Sequence, residues 1–148
     1  MGYRLPPPPS TDPPHPVDVG DCTEAVVIAA LVRRGYRVLR PLSANQRYDL
    51  VLDLDGEFLR VQCKTGRLRN GAIVFSARSC RSNRNRTYVR SYTGEADVFV
   101  VHCPETDRIY AVPVGDSGVL KTATLRVTAP ANNQRKGIRW AADHELPA

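Results

Sequence analysis

The dipeptide Asp55-Gly56 lies between two runs rich in β-forming residues, and it constrains the fold more than any other feature of the chain. A two-residue Asp-Gly connection between alternating runs is typical of a type I′ β-hairpin, in which both turn residues take positive φ. Such a short loop also fixes which residues face each other. The predicted strands are Tyr48–Leu54 and Glu57–Lys64. The apolar side chains that share one face, and that we expect in the core, are Leu50, Leu52, Leu59 and Val61.

The opposite face of the predicted hairpin brings polar groups together. Asp49 faces Gln62 in this register, and Lys64 lies diagonally across from Asp49. The Asp49 carboxylate, the Gln62 amide oxygen and the Cys63 main-chain carbonyl are ligands of the kind that Mg²⁺ prefers. A bound Mg²⁺ polarises a phosphodiester and activates water, and Lys64 would orient that water or neutralise charge on the phosphate. The alternative is a surface Asp–Lys ion pair worth under about 1 kcal/mol.

A helix is predicted over Cys22–Arg34, with Asp21 as its N-cap and Gly35 just beyond its end. Its middle is apolar on all sides, which predicts burial on most of its faces. Glu24 lies in the first turn of this predicted helix and has two interpretations. It completes a capping box with Asp21, or it faces a polar site as a third acid.

Further elements follow from short β-rich runs. Strands are predicted at Tyr36–Arg40, Ala72–Ala77, Asp97–His102 and Arg108–Pro113. The segment Asn132–Ala142, which contains the only tryptophan, is predicted to form a short strand or helix. A helix followed by several strands and then mixed elements predicts a single α/β or α+β domain.

The amino-terminal residues 1–16 contain seven of the twelve prolines. This composition predicts a disordered leader, with an SH3-type ligand as the alternative, followed by a single domain over 17–148. No apolar run approaches the roughly 18 residues of a membrane span, and the leader lacks the apolar core of a signal peptide. The four cysteines lack metal-ligand spacing, which predicts free, buried thiols in a reducing cytoplasm.

The basic residues are concentrated in one part of the chain. Residues 58–94 contain nine Lys and Arg and no Asp or Glu, whereas the whole chain carries a net charge of +6. Clustering of one sign is typical of a protein that binds a polyanion such as nucleic acid, with a solvated basic face as the alternative. The candidate nucleic-acid contacts are Arg67, Arg69, Arg78, Arg81, Arg84 and Arg86.

The order of these motifs resembles the PD-(D/E)XK nuclease superfamily. The matching residues are Glu24 in a helix, then Tyr48-Asp49-Leu50-Val51, then Gln62-x-Lys64, and the glutamine form of the last motif is similar to the group I intron-associated homing endonucleases. Runs further along the chain are also similar to that group: Glu95–Val101, Cys103–Thr106, Tyr110–Pro113, Asn132–Gln134 and Ile138–Ala141. Two positions depart from the usual superfamily pattern, because Tyr48 replaces proline and Gln62 replaces an acid.

The resemblance implies a restriction-endonuclease-like core, in which a mixed sheet is flanked by helices. It also implies Mg²⁺ at Asp49 and Gln62, double-stranded DNA as substrate, and a homo-oligomer, either dimer or tetramer. The residues with implied catalytic roles are Glu24, Asp49, Gln62 and Lys64.

The expected function is therefore a Mg²⁺-dependent DNA endonuclease of the homing type. A Holliday-junction resolvase and a repair or restriction nuclease are alternatives within the same superfamily. From other classes, the alternatives are a catalytically inactive nucleic-acid-binding module and an interaction protein whose proline-rich leader recruits a partner. Mg²⁺-dependent cleavage of DNA separates the nucleases from the other two.

Overall fold

The predicted hairpin is present at the centre of the fold. A computed structural model describes residues 2–10, 12–117 and 121–148, with the backbone alone at 81–82 and 116–117. The elements are α1 (Pro16–Arg33), β1 (Arg37–Leu39), β2 (Leu50–Leu54), β3 (Glu57–Thr65), β4 (Arg67–Arg69), β5 (Ala72–Ser76), β6 (Arg78–Ser82), β7 (Thr87–Ser91), β8 (Val98–Cys103), β9 (Arg108–Pro113), α2 (Val114–Ser117), β10 (Thr122–Arg126) and α3 (Ala141–His144). Asp55 and Gly56 have φ angles of 56° and 103°, and Leu52 pairs with Leu59. The predicted turn and register are confirmed.

The largest sheet has five strands in the order β1-β2-β3-β8-β9. Strands β3 and β8 run parallel, and the other neighbouring strands run antiparallel. Strand β8 is buried along its whole length, as expected for an apolar strand with layers on both faces. The fold is therefore α+β with a mixed sheet, as predicted.

The two faces of this sheet are covered differently. On one face, Val27 and Leu31 of α1 pack against a cluster that includes Leu50 and Val61. The other face packs over β8 and β9 against a second, three-stranded sheet in the order β10-β5-β4. Over β1 and β2 that second face is open, and Leu39 at its edge is exposed. Among the polar residues of the hairpin, Lys64 lies against Tyr92 and Phe99, which belong to the covered part of this face.

Helix α1 begins six residues earlier than predicted. His15 is the N-cap, and its Nδ1 accepts a hydrogen bond from the backbone N–H of Val17 at 3.2 Å. Pro16 suits the first helical position, because the N–H that it lacks has no partner inside a helix. The predicted N-cap at Asp21 is therefore wrong, whereas Gly35 has a φ of 85° and ends the helix as predicted.

The burial of α1 also differs from the prediction. Thr23, Val27 and Leu31 are buried at a spacing of four, while Ala29 and Val32 are exposed. The helix therefore buries one face rather than most of its surface, because its other side has no covering layer.

The predicted short strands correspond to β1, β5, β8 and β9 with end shifts of one residue or none. Strands β4, β6 and β7 were not predicted, because these arginine-containing runs lack a clear apolar alternation. Strand β10 was also not predicted, although its first four residues alternate between exposed and buried positions. The carboxyl-terminal segment forms neither a full strand nor a full helix. Trp140 makes an isolated bridge to Arg126 and is the N-cap of α3.

Strands β6 and β7 form a two-stranded sheet of their own, which we call the arm (residues 78–91). The chain enters and leaves the arm beside Ala77 and Tyr92, both buried in the core cluster under the second face. All four cysteines are free thiols, as predicted. Cys22 on α1 and Cys80 on the arm are exposed, so the prediction of buried thiols is wrong for these two.

In the leader, residues 2–10 and 12–14 form neither helix nor strand and are exposed. Pro16 belongs to α1 rather than to the leader. None of the described helices is long and apolar enough to cross a membrane.

Gly66 lies where β3 passes into β4, close to β8. A Cβ atom at this position would lie 2.6 Å from Cγ2 of Ile73 and 2.9 Å from Cγ1 of Val101. Both neighbours are buried, β-branched side chains with little rotational freedom. The close approach of the two sheets therefore requires glycine.

We expect Gly66→Ala to lower the free energy of unfolding by about 1–3 kcal/mol, because the core must shift to admit the methyl group. Gly20→Ala is the matched control, since Gly20 lies inside α1 with open space around it. That variant should gain about 0.5–1 kcal/mol, because alanine favours the helix. Urea denaturation of both variants measures the difference, and equal stabilities would contradict the packing of the two sheets at Gly66.

Candidate active site

Asp49 lies just before β2 and is held by β3. Its backbone N–H donates to the carbonyl of Val61 at 2.8 Å, which continues the hairpin register by one residue. Its Oδ2 accepts two hydrogen bonds, from Nε2 of Gln62 at 2.7 Å and from the backbone N–H of Cys63 at 2.8 Å. The sequence prediction that Asp49 and Gln62 face each other therefore agrees with their hydrogen bond.

The Gln62 amide group lies between two oxygen atoms. Its nitrogen also donates to the carbonyl oxygen of Cys63 at 3.4 Å, so Gln62 bridges that carbonyl and the Asp49 carboxylate. The amide is thus a donor in this arrangement, rather than the oxygen ligand expected from sequence. The two oxygens that it bridges are hard ligands of the type that hold Mg²⁺.

The donor set fits a divalent cation with few charged ligands. Among the described residues, no three His, Cys, Asp or Glu side chains are grouped to hold a metal ion. A cation here would be held by the Asp49 carboxylate, the Cys63 carbonyl and water, with the Gln62 oxygen available only if its amide turns over. Mg²⁺ tolerates such a site, since it commonly keeps several waters.

The electrostatics of Asp49 reflect its partial burial. Burial raises the pKa of the Asp49 carboxyl, and the hydrogen bond from Cys63 N–H and the charges of Lys64 and Arg40 oppose that rise. The charges of these two cations therefore offset part of the effect of burial on the half-buried Asp49 carboxylate.

Lys64 lies against two aromatic rings. Its Nζ is 3.2 Å from the hydroxyl of Tyr92, 4.6 Å from the centre of that ring and 6.0 Å from the centre of the Phe99 ring. Burial lowers the pKa of Lys64 from 10.5 to about 8, while the charge of Asp49 acts in the opposite direction. The Lys64 ammonium is thus partly withdrawn from water and lies against the rings of Tyr92 and Phe99.

Glu24 lies in the third turn of α1, so a capping role at the helix start is excluded. Its Oε1 accepts a hydrogen bond from Nη2 of Arg40 at 2.5 Å. Burial, followed by the charge of Asp49, raises the pKa of Glu24, and Arg40 opposes the rise. Glu24, Arg40, Tyr48 and Asp49 are among the residues lining one cavity of about 330 Å³. The structure therefore brings the predicted helix acid to the same cavity as Asp49.

Comparison with known proteins agrees with this geometry. A family model for PD-(D/E)XK endonucleases matches residues 15–147. This chain belongs to the PD-(D/E)XK endonuclease family. A solved structure entitled "The structure of a bacterial homing endonuclease: I-Ssp6803I" has 26% sequence identity to this endonuclease and a TM-score of 0.68, over 88% of this chain and 89% of that chain. No curated protein sequence matches the chain.

Three residues that sequence reasoning missed contribute to the site of this endonuclease: Arg40, Arg47 and Tyr92. Arg47 lies two residues before Asp49, and its guanidinium is 4.5 Å from the centre of the Tyr92 ring. Tyr92 is 28 residues from Lys64 in sequence, so no local pattern shows that they touch. The partners of Arg47 are 32 to 48 residues away in sequence, so no local pattern indicated its role.

The predicted DNA contacts fall into two groups. Arg67 and Arg69 lie on β4, and Arg67 is 3.9 Å from Glu105. The others lie on the arm, where Arg84 and Arg86 are exposed at its tip. The backbone of Arg81 belongs to β6, but its side chain lies outside the described part of the chain.

Part of the basic stretch is neutralised by acids that follow it. Arg60 makes a two-pronged contact with Asp97, at 3.0 and 2.8 Å. Arg90 of this stretch binds Glu95, which also binds Arg47 of the preceding loop. The net positive charge near the site is therefore concentrated on the arm and β4 rather than spread evenly over residues 58–94.

We expect Lys64→Met to raise the free energy of unfolding by about 1–3 kcal/mol at pH 7. The lowered pKa of Lys64 means that keeping its ammonium charged in the folded protein costs roughly that amount. The pKa of Lys64 is lower in the folded protein than in the unfolded chain. The destabilisation therefore has its full size below pH 8 and disappears as the pH rises towards 10.5. Urea denaturation at pH 7 and at pH 10 measures the difference between wild type and variant.

The stabilities should converge at the higher pH. A variant that is less stable than wild type at pH 7, or a difference that does not change with pH, would show that Lys64 is not held at a cost in the folded protein.

Proposed function

We propose that this chain is a divalent-metal-dependent endonuclease that hydrolyses phosphodiesters in duplex DNA, and that it is of the homing type. The observation that carries the proposal is that Gln62 bridges the Asp49 carboxylate and the Cys63 carbonyl, while the charge of Lys64 acts on Asp49. A basic arm belongs to the same domain. Membership of an endonuclease family and likeness to a bacterial homing endonuclease support the proposal. The proposed group I intron association rests on the QxK motif and on the similar runs further along the chain.

The chain's residues have separate roles in this proposal. Asp49 and the Cys63 carbonyl hold the cation, for which Mg²⁺ is the expected ion because both ligands are hard oxygens. When bound, such a cation polarises the phosphate and lowers the pKa of a coordinated water. Lys64 contacts Tyr92 and its charge acts on Asp49, so we assign it the role of orienting water or neutralising charge that develops on the phosphate. Glu24 adds a second carboxylate to the cavity.

Duplex DNA would lie along the arm. A groove of about 570 Å³ separates the arm from the loop before β2, and it is lined by Ala44, Asn45, Gln46, Arg47, Ser79, Tyr88 and Arg90. At the tip, Asn83 Oδ1 accepts hydrogen bonds from the backbone N–H groups of Asn85 and Arg86, which fixes the turn. A two-stranded ribbon has the width to enter a major groove, and exposed Arg84 and Arg86 suit guanine edges or phosphates.

Assembly into a homo-oligomer is part of the same proposal. Three large apolar side chains are exposed beside the open part of the five-stranded sheet: Leu39, Leu42 and Phe58. Leu39 and Phe58 also line a shallow cavity with Pro41 and Val51. A grouped apolar surface of this kind is typical of an interface between subunits.

Cleavage of supercoiled plasmid with and without Mg²⁺ tests the proposed function. Wild type should produce nicked or linear DNA only with Mg²⁺, and Asp49→Asn should lower the rate by about 100-fold or more, since the cation contributes several kcal/mol to the transition state. Asp55→Asn is the matched control, because Asp55 is an exposed turn residue and asparagine suits the same turn. It should cleave like wild type.

Two results would contradict the proposal. Cleavage by Asp49→Asn at the wild-type rate would remove the active site from Asp49. Tight DNA binding without cleavage at any Mg²⁺ concentration would favour the non-catalytic binding module instead.

A further inference from the structure

One guanidinium joins both strands of the arm to the loop that carries Asp49. Arg47 donates through Nη1 to Ser79 Oγ of β6 at 2.7 Å and through Nη2 to the carbonyl of Ser91 of β7 at 3.0 Å. Its Nε donates to the carboxylate of Glu95, just after the arm. The three donors of a rigid, planar group therefore have three partners at the base of the arm.

Glu95 strengthens this connection from the other side. Its second oxygen accepts a hydrogen bond from Arg90 of β7, so one carboxylate bridges a cation of the loop and a cation of the arm. The side chains of Arg47 and Glu95 are 26% and 25% exposed, so the pair is largely withdrawn from solvent. Hydrogen bonds between charged groups in such places are stronger than those of exposed ion pairs.

The same guanidinium continues into the catalytic centre. It stacks on one side of the Tyr92 ring, and the hydroxyl of that ring contacts Lys64. Asp49 lies two residues beyond Arg47 in the chain. The arm, the loop and Lys64 are thus connected through two side chains, Arg47 and Tyr92.

We infer that Arg47 and Glu95 form a clasp that sets the position of the arm relative to Asp49 and Lys64, and so selects which phosphate of bound DNA reaches the site. This inference rests on the proposed function for its consequence on cleavage, but the clasp itself does not. Arg47 and Glu95 are positioning residues, because their charged groups bind each other and the base of the arm.

The arm needs such a clasp for a mechanical reason. A two-stranded ribbon is marginally stable alone, and strands of five residues project about 17 Å, so a small rotation at the base displaces the tip by several ångströms. A misplacement of about 1 Å at the reacting atoms is enough to lower a rate by about 100-fold. DNA held by a loose arm would therefore be bound well but cut poorly.

Native cysteines allow the clasp to be tested without DNA or metal. Cys22 on α1 and Cys80 on the arm are exposed, whereas Cys103 is buried and burial raises the pKa of the Cys63 thiol well above its usual range. Nitroxide labels on the two exposed thiols report the distance between helix and arm by pulsed electron paramagnetic resonance. We expect a narrow distance distribution in the wild type.

Glu95→Gln and Arg47→Gln should each broaden that distribution, because each removes the charge pair while keeping a polar side chain. Arg84→Gln at the arm tip is the matched control for this measurement and should leave the distribution narrow. Circular dichroism checks that each variant is folded. If one variant misfolds, the other still tests the clasp. Distributions as narrow as wild type in both variants would overturn the clasp.

Single-turnover cleavage then tests the consequence. Glu95→Gln makes the protein more positive by one charge, so its affinity for duplex DNA should be equal or higher. Its cleavage rate should nevertheless fall by about 100-fold, with the cuts spread over neighbouring phosphates. An unchanged rate and cut position despite a broadened arm would overturn the positioning role. A wild type that never cuts DNA would refute the proposed function and leave the distance result standing.

Discussion

The Asp49 carboxylate is held by two hydrogen bonds from β3, and both exist only in one register of the hairpin. The Asp55-Gly56 turn sets that register, because a two-residue loop leaves the strands no freedom to slide. Since side chains alternate along a strand, the same register places Leu50 and Val61 in the core under α1. A slip of one residue would expose the core side chains and bury the carboxylate, so the packing and the chemistry depend on one turn.

The charge balance around Asp49 follows from the same strand. Gln62 occupies the position where an acid would add a second negative charge, and Lys64 and Arg40 lie close by. Coulomb attraction for a divalent cation is therefore weaker than it would be with an acid at position 62. The same deficit reduces repulsion of a DNA phosphate, so we expect substrate to complete a site that the free protein fills poorly.

Local patterns predicted the hairpin, its register and its polar face, because a two-residue turn and strand alternation are encoded within seventeen residues. They failed at the start of α1, because Asp21 resembles an N-cap residue. The helix in fact begins at Pro16, with His15 as its N-cap. The contacts of Arg47 with Ser79 and Glu95 were beyond reach, because they join positions 32 and 48 residues apart. Long-range contacts between polar side chains leave no periodic signal in the sequence.

The most direct test of the central claim, that the hairpin register builds a cation site at Asp49, is calorimetric titration with Mg²⁺ of wild type, Gln62→Glu and Asp49→Asn. Glutamate at position 62 is nearly isosteric with glutamine, but it adds a negative charge and replaces the amide donor to Asp49 with an oxygen that can bind a cation. Mg²⁺ should bind Gln62→Glu more tightly than wild type without DNA, and Asp49→Asn should not bind it. Equal affinity in all three proteins would show that neither residue touches the ion and that the Gln62–Asp49 hydrogen bond is purely structural.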